Sequence, residues 1–275
     1  MEKCCGAKIA NLTLEEAAPH TVYNHFILTG YRSSTTHREC IKSIFSCHNE
    51  TCNIWTHLIG LFVMIILMIV VMNDREWFLN HSQDDRVIVS LYFIGSFMCM
   101  LLSSLMHCFT CTSQAVLWSK ADYTGILCLL GSSDIPMLYF GFESYPTIRL
   151  VYFILLPIVL CLGSYSLFSE KMQTPERKLL RLIAFASVAL FGWFHMVHEI
   201  ILKNSYETTI RILNNWFSSF SFYIIGVFFY ASHIPEKYVK KSFDIIGSSH
   251  QIWHLLVLGG AIYHVRTIHQ YSICR

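Results

Sequence analysis

The residues of this 275-residue chain best able to do chemistry stand at the start of its last apolar segment. There Gly247-Ser248-Ser249-His250-Gln251-Ile252-Trp253-His254 sets two histidines four apart. On a helix, positions i and i+4 lie on one face, one above the other. Ser248 or Ser249 can cap the first turn. Two imidazoles so placed can close on one metal ion. Packed histidines at a membrane interface carry the same spacing, so a metal reading needs at least one further donor from elsewhere in the chain.

The elements that must supply it are apolar. Hydrophobic residues make up 54% of the chain and charged ones 14%, against about 25% charged in a soluble domain. Seven runs approach the roughly 20 residues of a spanning helix: Ile54–Met72, Val87–Thr110, Asp122–Phe142, Leu150–Phe168, Leu179–Leu202, Ile212–Ser232 and His250–Tyr271. They do not alternate, which argues against a membrane barrel. The fold expected is an all-α membrane protein, a seven-transmembrane helix bundle in a lipid bilayer. A net charge of +2 is too small to argue for a nucleic-acid partner. The division expected is 1–53 as a cytoplasmic N-terminal region, 54–271 as the seven-helix domain and 272–275 as a C-terminal tail. Glu15-Glu16 interrupts any apolar run near the start, so residues 1–53 do not read as a signal peptide.

Basic residues favour cytoplasmic loops. With the N-terminus inside, thirteen of the twenty Lys and Arg residues fall inside and seven outside. The C-terminus is then outside or lumenal. In that arrangement His107, Asp122, His250 and His254 all reach the cytoplasmic side, from three different helices. This agreement favours a metal site there over packed histidines. His264 lies about 15 Å further along the last helix than His254, so it and His269 belong elsewhere. His195 and His198 read as interfacial histidines, with a second metal beside Glu199 the weaker alternative. Cys108 and Cys111 are a minor alternative as ligands beside His107, since thiolates bind zinc well.

Residues 1–24 are polar and read as mobile. Tyr31 to Asn53 reads as a short interfacial helix element, with Ile41, Ile44 and Phe45 at helical spacing. Glu50 and His57 are expected to make polar contacts inside the bundle, His57 as a hydrogen-bonded structural histidine. Cys99, Cys128 and Cys161 fall inside apolar runs and read as packed thiols. Asn80-His81-Ser82 matches a glycosylation acceptor.

These stretches carry a resemblance. Asn49-Glu50-Thr51-Cys52-Asn53-Ile54-Trp55-Thr56-His57, Ser103 with His107, Asp122-Tyr123-Thr124-Gly125-Ile126 and Ser249-His250-Gln251-Ile252-Trp253-His254 resemble the progestin and adipoQ receptor family, which includes the adiponectin receptors. Gly30-Tyr31-Arg32 and Pro235-Glu236-Lys237 fit as well, and the likeness runs from about Gly30 to Tyr271. The wording Pro-Glu-Lys-Tyr and Gly-Ser-Ser-His-Gln-Ile-Trp-His looks most like the Raf-kinase-trapping Golgi branch. The resemblance implies seven helices with a cytoplasmic N-terminus, zinc on His107, His250 and His254, Asp122 near the metal-activated water, and Ser103 one turn before the first ligand. Ala121 stands where the family usually has leucine, and Lys240-Lys241 where a Pro-Gly turn is common.

Two functions follow. One is a multi-pass receptor or scaffold in the Golgi or plasma membrane, with a lipid or sphingolipid ligand and a cytoplasmic protein partner on the N-terminal region. The other is a zinc-dependent hydrolase of lipid amides such as ceramide, resembling the alkaline ceramidases. There zinc lowers the pKa of water, Asp122 takes the proton and Ser103 donates to the developing oxyanion.

Overall fold

The computed structural model describes residues 11–74, 77, 82–169, 172 and 174–273. Among these, eight α-helices follow in order: α1 (His37–Ser43), α2 (Thr51–Asn73), α3 (Gln83–Phe109), α4 (Ala115–Gly141), α5 (Pro146–Phe168), α6 (Lys178–Lys203), α7 (Tyr206–Ser232) and α8 (Ser249–Ile273). The expected glycosylation site lies outside the described residues, since Asn80 and His81 are not among them.

Five helices, α2, α3, α5, α6 and α7, are long and apolar enough to cross a bilayer by length and composition. The outward residues of α2 show why. Ile59, Phe62, Ile66 and Ile69 recur at helical spacing, and all are exposed. Asn53, His57, Met64 and Val71 line its buried face. The outward face is therefore apolar, as lipid requires, while the buried face turns its polar Asn53 and His57 toward protein. The α4 and α8 helices reach 27 and 25 residues but are more polar. Lys120, Asp122 and Asp134 interrupt α4, while His250, His254, His264, Arg266 and His269 interrupt α8. The α4 helix also begins at Ala115, seven residues ahead of the expected Asp122.

The chain divides into two compact units. The first holds residues up to Gly60, Met100–Asp122 and Phe222–Gly259. Residues 11–24, expected to be mobile, are folded here. Leu12 pairs with Tyr31 through backbone hydrogen bonds in both directions, 2.8 and 3.1 Å long. Val22, Ile27 and Tyr31 form a small core with Leu12 and Leu14. The apolar residues that build it are too scattered to show a period, which is why the segment reads as polar. Gly30 follows at φ 89°, and a Cβ there would lie 2.7 Å from Ile245 Cδ1 and 3.1 Å from Asn49 N. Only glycine takes that backbone without strain.

Polar side chains tie the helix ends of this unit. Arg32 is buried, and its guanidinium donates to the carbonyls of His107 (2.7 Å) and Cys108 (2.9 Å) and to Ser43 Oγ (2.8 Å). Those carbonyls are orphans at the C-terminus of α3, where a cation is also favoured by the helix dipole. The α1 helix begins at a capping box of Thr36 and Glu39. Ile41 on this helix and Phe45, two residues past its end, are exposed. The start of α8 differs from the expected serine cap. The fully buried Glu236 accepts from Ser249 N at 2.8 Å, from Ser249 Oγ, and from Asn24 Nδ2 at 2.9 Å. Lys241 takes the left-handed turn, φ 65°, where a glycine would be strain-free.

The second unit holds Leu61–Cys99, Tyr123–Ser221 and Gly260–Arg275. Leu138, Phe142, Tyr152 and Leu156 form one core cluster, and Leu127, Leu167 and Val188 another. Gly95 of α3 has no room for a Cβ beside Ser132 of α4, and a Cβ on Gly163 of α5 would lie 2.6 Å from Val188 Cγ2 of α6. Small residues of this kind let membrane helices approach closely.

His48 joins the end of α1 to the start of α2. Its Nε2 lies 3.1 Å from Ser43 O and its Nδ1 3.1 Å from Glu50 N. The Glu50 N–H can only donate, so Nδ1 accepts and Nε2–H donates, and the neutral ring fits. Burial, with the Arg32 guanidinium, pushes its pKa down from 6.5 to about 4, against a smaller pull upward from Glu50. The stabilisation is therefore complete above pH 6.5 and is lost as pH falls toward 4. Its full size is on the order of 3 kcal/mol. The melting temperature of the purified protein should fall more steeply between these pH values than that of His48→Gln. Parallel falls in the two proteins would show that another group governs acid sensitivity.

Candidate metal centre

Three imidazoles converge inside the first unit. His107 comes from the last turn of α3, and His250 and His254 from the first turns of α8. One ligand atom from each lies within 4.8 Å of the others. Nε2 of His107 and Nε2 of His250 are 3.1 Å apart. Two nitrogens on one tetrahedral ion, each about 2.0–2.1 Å from it, sit about 3.3 Å apart. The donor set therefore suits a metal ion. Among the described residues this is the one such group of three or more His, Cys, Asp or Glu.

The surrounding hydrogen bonds fix which ring nitrogens are available. His107 Nδ1 lies 2.8 Å from Glu50 Oε2. Glu50 also accepts from Tyr23 OH at 2.6 Å and from Asn53 Nδ2 at 2.8 Å. Burial alone would raise the Glu50 pKa, but His107, Tyr23 and Asn53 together outweigh it and hold the carboxyl at about 2. Beside this carboxylate His107 Nδ1 carries the proton, and in the neutral ring Nε2 keeps a lone pair. His254 is set in the same way. Thr56 Oγ1 donates to Asn53 O at 3.0 Å, so it can only accept from His254 Nδ1, 3.0 Å away. His254 Nε2 is again left with a lone pair. Such outer partners orient metal-binding histidines and raise their basicity. Burial, then the charge of Glu50, pushes the Tyr23 phenol well above its usual pKa, so it stays a donor.

His57 does not behave as expected. It was expected to be hydrogen-bonded, yet it stacks on His254 with ring centroids 3.8 Å apart and planes 10° from parallel. Neither ring nitrogen has a hydrogen-bond partner among the described residues. Its ring covers a face of His254 and fixes that imidazole by packing. A water-sized cavity of about 10 Å³ adjoins His250, lined by Tyr23, Asn24 and Asn53 among others.

Ser103 lies one turn before His107 and is buried. Asp122 lies close enough to both Ser103 and His107 to interact with them electrostatically. The cysteines go elsewhere. Cys111 Sγ faces Cys40 Sγ at 3.3 Å, and Cys108 packs with both in a core cluster. The histidines set apart from the site do lie apart. His264 meets Ser133 O at 3.1 Å, and the ring of His269 packs on Trp77. His195 is buried, not interfacial, with Nε2 3.1 Å from Asp134 Oδ1. Sequence reasoning missed Tyr23, Asn53, Thr56, Arg32 and Glu236. Asn53 had a signal, because Glu50, Asn53 and His57 fall at i, i+3 and i+7 on one helical face.

A family profile described as Haemolysin-III related matches residues 45–265. The adiponectin receptor protein of Drosophila melanogaster is 31% identical over 92% of this chain and 57% of its own length. An ADIPOR-like receptor of Eremothecium gossypii is 32% identical over 93% of this chain and 83% of its own. Progestin and adipoQ receptor family member 3 of Homo sapiens is 30% identical over 86% and 77%. These similar identities single out no branch of the family. The chain spans about three-fifths of the first curated relatives it matches, 60% of a Schizosaccharomyces pombe protein and 57% of the Drosophila one. With the five apolar helices, the likeness makes this a multi-pass integral membrane protein.

Glu50→Ala keeps all three imidazoles but removes the acceptor that fixes His107. Its affinity for a divalent ion, measured by chelator competition on purified protein, should fall about 10–100-fold. An unchanged affinity would reduce Glu50 to a packing role.

Proposed function

Because the chain belongs to the haemolysin-III-related family, with progestin and adipoQ receptors among its relatives, we propose that it is a zinc-holding membrane receptor or scaffold. It signals or retains partners at a Golgi or plasma membrane. The observation that carries this reading is the convergence of His107, His250 and His254, with ligand atoms within 4.8 Å of one another. Three neutral nitrogen donors, two with the proton fixed on the far ring nitrogen, favour zinc over harder ions that take oxygen ligands. Zinc so held, with a fourth position open, supplies Lewis acidity to an oxygen that reaches it. In this proposal α2 to α8 all span the bilayer. The domain of residues 54–271 sits between a cytoplasmic region of residues 1–53 and a lumenal or outer tail of residues 272–275. A lipid or sphingolipid is the proposed ligand, and the N-terminal region is the surface for a cytoplasmic partner.

The nearness of Ser103 and Asp122 to each other and to His107 supports a second reading as a lipid amide hydrolase. There Asp122 accepts a proton at its carboxylate, and Ser103 Oγ donates to the carbonyl oxygen of an amide such as ceramide. In the receptor or scaffold reading neither has a catalytic part.

Three measurements test these statements. Zinc content of purified His107→Ala, His250→Ala and His254→Ala should fall sharply, while His264→Ala keeps its metal. Equal zinc in His250→Ala and the parent would move the site elsewhere. A tag before Met1 should be reached from the cytosol and a tag after Arg275 from the other side. Both tags on one side in protease protection would mean an even number of spans. Asp122→Asn separates the two functions, because its amide keeps the shape but cannot take a proton. In the hydrolase it should abolish fatty-acid release from ceramide while zinc and melting temperature hold. A parent with no release across a broad lipid panel, alongside a destabilised His254→Ala, would remove the enzyme reading.

A further inference from the structure

The second unit holds two arginines on one cavity, and neither has a counter-ion among the described residues. The cavity has a volume of about 510 Å³ and lies between the early turns of α7 and the late turns of α8. Arg211, Asn214 and Asn215 line it from α7, and Arg266 and Gln270 from α8. Glu207 is the sole acid on its wall. None of the ion pairs among the described residues involves either arginine. The Arg266 guanidinium rests over the Tyr263 ring, 5.6 Å from its centroid, which limits the orientations it must lose on binding a ligand. Asn215 Nδ2 donates to Gln270 Oε1 at 3.4 Å, joining the two helices within the lining.

We propose that this cavity binds a phosphate-bearing anion, carried by a lipid headgroup or free in solution. Two guanidiniums against one carboxylate leave a net positive wall, and the planar fork of arginine matches phosphate oxygens two at a time. The side-chain amides supply further donors once they turn to a ligand. The volume falls in the range of small-ligand sites, roughly 300–1,000 Å³. Exposed Tyr206 and Ile210 share the lining, on a helix long and apolar enough to cross a bilayer, and give an acyl chain an apolar wall. The cavity shares no residue with the His107 centre, so it stands or falls independently of zinc.

The test uses the full chain in nanodiscs of phosphatidylcholine, with and without phosphatidylglycerol. Retained lipid is read by native mass spectrometry. A second arm titrates glycerol 3-phosphate and inorganic phosphate into the phosphatidylcholine nanodiscs. The parent should retain phosphatidylglycerol over phosphatidylcholine, bind the soluble anions, or do both. A preference for lipid alone assigns the headgroup, and binding of the soluble anions alone assigns a free ligand. Arg211→Gln and Arg266→Gln should each weaken binding roughly tenfold, as loss of a charge-assisted contact does. Glu207→Gln should strengthen it by removing like-charge repulsion, a gain that a damaged fold cannot mimic. Raising salt from about 0.05 M to about 0.5 M should weaken the parent and Glu207→Gln alike. Melting temperature reports that each variant is folded. A parent with no phosphatidylglycerol preference and no soluble-anion binding overturns the proposal. So does binding that both arginine variants leave intact.

Discussion

A carboxylate buried beside a membrane helix must be surrounded by donors, and three carboxylates impose that demand on the first unit. Glu50, Glu236 and Asp244 are each at most 2% exposed. Each takes one donor from the same short N-terminal stretch: Tyr23 OH to Glu50 at 2.6 Å, Asn24 Nδ2 to Glu236 at 2.9 Å and Thr29 Oγ1 to Asp244 at 2.7 Å. An unpaired buried charge costs several kcal/mol, so these residues cannot be a loose tail. The segment's own core is small, and it is the carboxylates that fix where it lies. The metal ligands depend on the same arrangement. Glu50 orients His107, and Glu236 holds the first residue of α8, one place before His250.

The two polar helices, α4 and α8, show the same constraint from the other side. An ionisable group at membrane depth has to face protein or water. Along α8 the residues Ser249, His254, Val257, Ala261, His264, Val265, Ile268 and Tyr271 are all buried. A helix so enclosed need not be apolar, because its polar groups find partners: His254 on Thr56, His264 on Ser133 O, Tyr271 on Glu199. The low hydropathy of α4 and α8 and their share in the chemistry thus have one cause.

Much of this was legible in the sequence. The apolar runs located every long helix to within a few residues at most ends, because hydropathy is a local property. The convergence of the three histidines was readable too, since the His250–His254 spacing is local and His107 needed only a common depth. What failed was the reading of isolated polar residues. Tyr23, Asn24 and Arg32 have no period, and their partners lie 27, 212 and up to 76 positions away. The start of α4 failed for another reason. Lys120 and Asp122 end an apolar run, but they do not end a helix, which needs only backbone hydrogen bonds.

The site also shows why its ligands sit at helix ends. His107 lies two residues from the last residue of α3, where the carbonyls of His107 and Cys108 have no intrahelical partner and Arg32 takes them. His250 and His254 begin α8, where Glu236 takes the first N–H. A buried guanidinium and a buried carboxylate therefore hold the ligand backbones, while Glu50, Thr56 and His57 hold the rings. Backbone and side chain are constrained by different partners, so the imidazoles are preorganised before any ion arrives. A site built in this way loses little conformational freedom on binding. The same rigidity serves a structural staple and a catalytic centre equally. The distinction between them then rests on Asp122 and Ser103, the polar pair beside His107 that the holding of the ligands does not use.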